Sequence, residues 1–329
     1  MAWRAIAATV PKDEGDQNQD AFAKGADWIA IADGSSSGFD SGSWARALVA
    51  EAAVLCGDSL RHRPSNAEER AAPAAATAAT RSRSVDLVAA AGRRLEALQS
   101  RHHSVEHAPR SGADSPYVRD AQARGGSSTL AFARLSIDQR LLTLFAMGDT
   151  CWFVIRSGTV RFSFPYGAAS EFPEQPRLLY STPGRLGAYS RAIALTRAIR
   201  TLGDPKHPAS DLVATIPFEA RTDQLLGCTD AIAQWLLPVA ELERSRRLWQ
   251  LLTSLGVASD NAARNEKPRR VSAMAWARLQ RKGRPAVPSN ARHAMTEFDA
   301  LVDRERAANH LKRDDSTVVL ANWEEGGPP

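Results

Sequence analysis

Residues 127–165 read SSTLAFARLSIDQRLLTLFAMGDTCWFVIRSGTVRFSFP. Short apolar segments follow one another here, broken at Asp138-Gln139, Gly148-Asp149 and Ser157-Gly158, which carry turn-forming residues. That texture predicts an antiparallel β meander. Working outward, DWIAIAD at 27–33 alternates and ends on Asp-Gly, so a buried strand running into a turn is expected there. A helix should follow over 42–56, where Trp44, Leu48, Ala52 and Leu55 share one face. A second helix is predicted from about 85 to 99, and the Pro/Ala/Ser/Arg stretch 61–84 before it reads as a mobile connection or a weakly specified helix.

Downstream, 165–190 reads as irregular, and QLLGCT at 224–229 as a strand leading into a helix at 230–237 that Pro238 ends or kinks. Residues 241–255 are helical by period and 317–323 form the last strand. Between them, 258–288 lacks periodicity and holds the one concentration of basic residues. A helix over 291–311 then turns Met295, Phe298, Val302 and Leu311 inward. The expectation is one domain over 1–329 with a long basic insertion at about 258–313.

With 43% hydrophobic and 24% charged residues, the chain can bury a sizeable core, which excludes disordered, collagen-like and coiled-coil classes. The net charge of +5 is modest and names no partner. Three cysteines without CxxC spacing argue against a disulfide framework or a thiolate zinc site and fit a reducing compartment. The opening MAWRAIAATV is too short for a signal peptide, and nowhere do about 18 apolar residues run together. A cytoplasmic protein without membrane attachment is expected.

Aspartates sit at strand ends or turns: Asp20 in NQDAF, Asp33 in IADG, Asp149 in AMGDT, Asp230 in LLGCTDA and Asp314 in RDDSTVVL. Magnesium and manganese take a few such carboxylates together with carbonyls and waters. Taken singly, each position is explained by the preference of Asp for turns. Their order is the stronger signal.

NQDAF, IADG, GGSSTL, AMGDT, LLGCTD and DDSTVVL, in that order, resemble the metal-dependent PPM (PP2C) family of protein serine/threonine phosphatases. The resemblance implies an α+β fold, an α-β-β-α sandwich of two antiparallel sheets flanked by helices. It implies two Mn2+ or Mg2+ ions, with a third held more loosely. Asp33 matches the carboxylate that bridges the two ions and Gly34 the carbonyl ligand of one, while Asp230 and Asp314 match the aspartates completing the other ion's sphere. Asp20 matches the carboxylate acting on the water shell, and Asp149 the one associated with the third ion. The activity implied is hydrolysis of phosphoserine or phosphothreonine by a metal-activated water, on a phosphoprotein whose phosphate a serine/threonine kinase placed.

Two departures leave a second reading open. The Arg that often precedes the first motif is absent from PKDEGDQNQD; Lys12 is the nearest cation and the candidate phosphate binder, with Arg4, on an expected strand, a second. Ala231 stands where the family usually has Gly after the aspartate, harmless only if the backbone there has a negative φ. A catalytically impaired pseudophosphatase, acting as a phosphoprotein-binding or regulatory module, is the alternative. Nucleic acid is not expected as a partner, since only Trp276 accompanies the basic segment. His102, His103 and His107 read as a solvated turn, and Trp44, Trp152, Trp235 and Trp249 as core.

Overall fold

The predicted meander forms, but in two sheets. The computed structural model describes residues 2–13, 18–36, 38–61, 97–102, 120, 123–136, 140–174, 176–182, 213–237, 241–255 and 289–324. Its contacts divide into two units, one of Met1–Asp20, Asp149–Pro176 and Phe218–Pro329, the other of Ala21–Gly148 and Arg177–Pro217. The chain passes from the second to the first in the Gly148-Asp149 turn, midway along the meander. Gly148 has φ +106°, and a Cβ there would lie 2.5 Å from Thr129 Cγ2, so the crossing needs glycine.

The first unit holds a five-stranded antiparallel sheet in the order β1 (Ala2–Val10), β12 (Ser316–Glu324), β11 (Asp223–Cys228), β7 (Cys151–Arg156), β8 (Thr159–Phe164). Helix α2 (Asp230–Leu236) packs on β11 and β12, α3 (Glu241–Ser254) on β8, and α4 (Ser289–Ala307) on β1 and α3. Phe153, Ile155, Leu226, Leu248, Leu252, Phe298, Val302, Leu311 and Leu320 meet in one buried cluster. The unit's first and last strands are paired in register from Ala2 opposite Glu324 to Val10 opposite Ser316.

The second unit holds another antiparallel sheet, β10 (Val213–Pro217), β6 (Leu141–Met147), β5 (Leu130–Ser136), β3 (Trp28–Ala32), β2 (Ala21–Lys24). Helix α1 (Ser41–Arg61) lies against β2 and β3, and its Trp44, Leu48 and Ala52 join Ala30, Ala32 and Phe145 in a second core. A short pair, β4 (Ser127–Ser128) with β9 (Leu179–Tyr180), completes it. The α+β class of antiparallel sheets flanked by helices is thus found.

The expected elements at 27–33, 42–56, 224–229, 230–237, 241–255 and 317–323 are present within a few residues, α1 running on to Arg61. Three strands were not foreseen: β2, β10 and β9, the last within the stretch 165–190 read as irregular, whereas a strand around Arg4 was expected and β1 is found there. The helix expected to reach 311 stops at Ala307, because Asn309 adopts φ +56° and His310 N–H donates to Glu305 C=O while Asn309 N–H donates to Arg306 C=O. That is a Schellman cap, with Asn in the left-handed position that glycine usually takes. The stretches 61–84 and 258–288 fall outside the described residues apart from Arg61. Of the helix expected at 85–99, residues 97–99 are described and are helical. His102 ends that segment with its ring centroid 5.1 Å from that of Trp44, so the solvated turn expected there is corrected to a packed helix end; His103 and His107 lie outside the described residues. Trp44, Trp152 and Trp235 are buried and Trp249 is partly so, as core residues should be.

Candidate active site

In the second unit the IADG turn is held by the GGSST segment. Thr129 N–H donates to Asp33 C=O at 2.9 Å, Asp33 N–H donates to Thr129 Oγ1 at 3.0 Å, and Ser128 Oγ donates to Asp33 C=O at 2.8 Å. Gly34 bridges Ser128, and Ser35 N–H donates to Ser127 C=O. The small hydroxyl residues of GGSST therefore serve the backbone around Asp33. Gly126 is needed for the same packing, since a Cβ there would lie 2.8 Å from Phe39 C=O.

In the first unit three aspartates share a neighbourhood. Asp230 opens α2 directly after β11 and is 3% exposed; Asp149 precedes β7 and is also buried; Asp314 precedes β12. Burial, then the charges of Asp230 and Asp314, push the Asp149 carboxyl up to about 7, against its own amide and Lys312. Burial raises Asp230 as well, opposed chiefly by Lys312. The Lys312 ammonium stands 2.6 Å from Asp230 Oδ2 and 3.1 Å from Asp314 Oδ2. Burial alone would lower this lysine; the two carboxylates outweigh it and raise it.

The first motif is tied to the same region through backbone and hydroxyl groups. Asp315 accepts the amides of Lys12 at 2.6 Å and Gln19 at 2.7 Å, spanning the two ends of that loop. Arg306 donates to the carbonyls of Pro11, Lys12 and Asp314 and to Ser316 Oγ. Asn18 accepts Asp20 N–H and donates to Thr9 Oγ1, which contacts Thr317 Oγ1; Thr317 N–H in turn donates to Thr229 Oγ1, beside Asp230. A continuous polar chain thus links Asp20 to Asp230 within one unit. Lys12 contributes its amide to this framework, and its ammonium has no ion-pair partner among the described residues. Arg4 lies exposed on β1. Ala231 is the second residue of α2, fully buried and with helical backbone, so its methyl costs nothing.

Residues 12–172 match a family model described as "Protein phosphatase 2C". Over that segment the chain is similar to the protein phosphatase 2C family. The matched segment takes in Lys12, Asp20, Asp33, Gly34 and Asp149, while Asp230 and Asp314 lie beyond it. No curated protein matches the chain significantly. Solved structures similar to it include the photosystem II phosphatase PBCP (15% identity, 98% of this chain and 99% of that one, TM-score 0.42). The catalytic domain of the serine/threonine phosphatase PstP in complex with two manganese ions is similar at 17% identity, over 97% of each chain, with TM-score 0.41. So is the serine/threonine phosphatase Stp1 from Staphylococcus aureus, at 14% identity over 99% of this chain and 96% of that one, TM-score 0.39.

The motif aspartates offer oxygen donors suited to a hard divalent cation. Asp230 Oδ1 is buried without a hydrogen-bond partner, as a ligand oxygen would be. Among the described residues no three acidic, His or Cys side chains yet close around one point, and Lys312 holds the facing oxygens of Asp230 and Asp314. Lys312, Arg306 and the role of Asp315 were not read from the sequence. The run KRDDST did carry the signal: a cation two residues before a carboxylate at a strand entry. No helix among the described residues is long and apolar enough to cross a membrane.

Proposed function

We propose that this protein is a cytoplasmic, metal-dependent protein serine/threonine phosphatase, built as one phosphatase domain over 1–329 with an insertion at about 258–313. The observation that carries this reading is the burial of Asp149 and Asp230 beside Asp314 in a chain matched to the phosphatase 2C family. Buried carboxylates that repel one another are retained where a cation is to be held. Asp149, Asp230 and Asp314 would serve as ligands in the first unit, and Asp33 with the Gly34 carbonyl in the second. Two Mn2+ or Mg2+ ions, with a third more loosely held, would supply charge neutralisation at the phosphate and activation of water. Asp20 would orient that water, and the Lys12 ammonium would hold the phosphate. In the reaction, a water oxygen bonds to phosphorus as the bond to the seryl or threonyl oxygen breaks. The leaving oxygen takes up a proton and inorganic phosphate departs. A phosphoprotein, the product of a serine/threonine kinase, is the substrate class.

Lys312, seated on both carboxylates, favours a second reading: a catalytically impaired module that binds phosphoproteins without turnover. One assay separates them. Chelator-stripped protein should hydrolyse a phosphothreonine peptide when Mn2+ or Mg2+ is added, and Asp33→Ala should lose at least a hundredfold in kcat/KM with an unchanged melting profile. Near-parental turnover by Asp33→Ala would sink the ligand assignment. A parent protein that binds Mn2+ but never turns over would favour the impaired module.

A further inference from the structure

Lys312 lies in a short connection whose two ends are fixed. Before it, the Schellman cap at Asn309 ends α4 and returns Leu311 to the core, where it is 5% exposed. After it, Arg306 grips the Asp314 carbonyl, and Asp314 N–H donates to Lys312 C=O. The backbone at 312 is thus set by neighbours on both sides, and the ammonium is aimed rather than left to wander. It reaches one buried carboxylate, Asp230, at 2.6 Å and one partly exposed carboxylate, Asp314, at 3.1 Å. These two oxygens face a common point, and a cation occupies it.

Two neighbouring carboxylates, one of them buried, need positive charge to coexist ionised. A divalent ion gives two charges, whereas the ammonium gives one charge and three donors. The lysine has one advantage: it is tethered, so its effective concentration at the pair is fixed and, for a short tether, of millimolar order or above. Ammonium and metal cannot both use Asp230 Oδ2 and Asp314 Oδ2. We propose that Lys312 is an internal cation that holds the Asp230–Asp314 pair in the absence of metal and that a divalent ion must displace to ligate the pair, so that this residue sets the metal affinity of the site. The inference rests on the reading of Asp230 and Asp314 as metal ligands and adds what competes for them.

The test is Mn2+ binding to chelator-stripped full-length protein, followed by the electron paramagnetic resonance signal of free Mn2+, so that no turnover is needed. Lys312→Met removes the charge and keeps the apolar stem. The variant should bind Mn2+ on the order of ten- to a hundredfold more tightly than the parent, the size of one charged hydrogen bond recast as a ratio. Equal or weaker binding by Lys312→Met overturns the proposal, as does failure of both proteins to bind Mn2+. Should the variant fail to fold, the parent labelled with 15N-lysine gives the answer. An ordered ammonium resonance in the metal-free protein should vanish on saturation with Mg2+, and its persistence would overturn the proposal. Tighter Mn2+ binding by the variant with no hydrolysis by either protein would leave this inference standing and remove the phosphatase reading. Metal-dependent hydrolysis by the parent with unchanged Mn2+ affinity in the variant would do the reverse.

Discussion

Lys12 and Asp315 divide one task in an unexpected way. Asp315 takes the amides of Lys12 and Gln19, so the loop that carries the first motif is pinned through its backbone. This buried carboxylate is held by two charge-assisted bonds, each stronger than a neutral one, with the Arg306 charge nearby. The Lys12 side chain is not needed for this. Lys12→Ala should therefore leave the unfolding free energy from urea denaturation within about 0.5 kcal/mol of the parent, as for a surface change away from special features. If the ammonium holds substrate phosphate, the same variant should raise KM more than it lowers kcat, with about a ten- to hundredfold loss in kcat/KM. Unchanged kinetics would move the phosphate-binding role elsewhere, and Lys312 released from its carboxylates would be the next cation to examine.

Elements at the edges were harder to read than those at the centre. β3, buried at all five positions, announced itself as WIAIA, and the α1 face was plain from Trp44, Leu48 and Ala52. β1 alternates exposed and buried residues but begins at the N-terminus, where a mixed apolar run has several meanings, and it closes the sheet only by pairing with β12, more than 300 residues later. β2 and β10 are short edge strands of four and five residues, below the length at which alternation can be told from chance. The Asp33, Asp230 and Asp314 positions were legible because turns and strand entries leave local marks. Lys312 and Arg306 were only half legible: KRDDST sets Lys312 two residues before Asp314, but Asp230 and the Pro11 and Lys12 carbonyls come from distant segments that no spacing encodes. Arg306 is the sharper case: its guanidinium joins the end of β1 to the entry of β12 by four acceptors, and burial lowers its pKa. Arg306→Ala should cost roughly 2–4 kcal/mol, because those acceptors lose a charged donor in a half-buried place. Arg306→Lys should recover less than half of that, lacking the planar fork. Urea unfolding measures both, and a loss under about 0.5 kcal/mol for the alanine variant would show that water replaces the guanidinium freely.

Each unit has its own sheet and its own buried cluster, and the motif aspartates of the first unit sit on turns between elements already fixed by that core. With its cores made of apolar side chains, the fold is expected to form without metal. In a small zinc domain the ligands are the core, and removing the ion unfolds the chain. Here Leu226, Leu248, Phe298 and Val318 bury the sheet against its helices, and Lys312 sets a positive charge beside Asp230 and Asp314. Chelator-stripped protein should accordingly keep a cooperative thermal transition. Mn2+ at a hundred times its dissociation constant should add about 2.7 kcal/mol for one site, the linkage value for a ligand that binds only the folded state. In a protein of this length that corresponds to a rise in Tm of several degrees. The gain should be larger in Lys312→Met at the same Mn2+ concentration, since its metal-free form starts with an uncompensated pair and its affinity is higher. Loss of the cooperative transition on chelation would instead make the ion part of the folding reaction, and the internal cation would then be too weak to stand in for it.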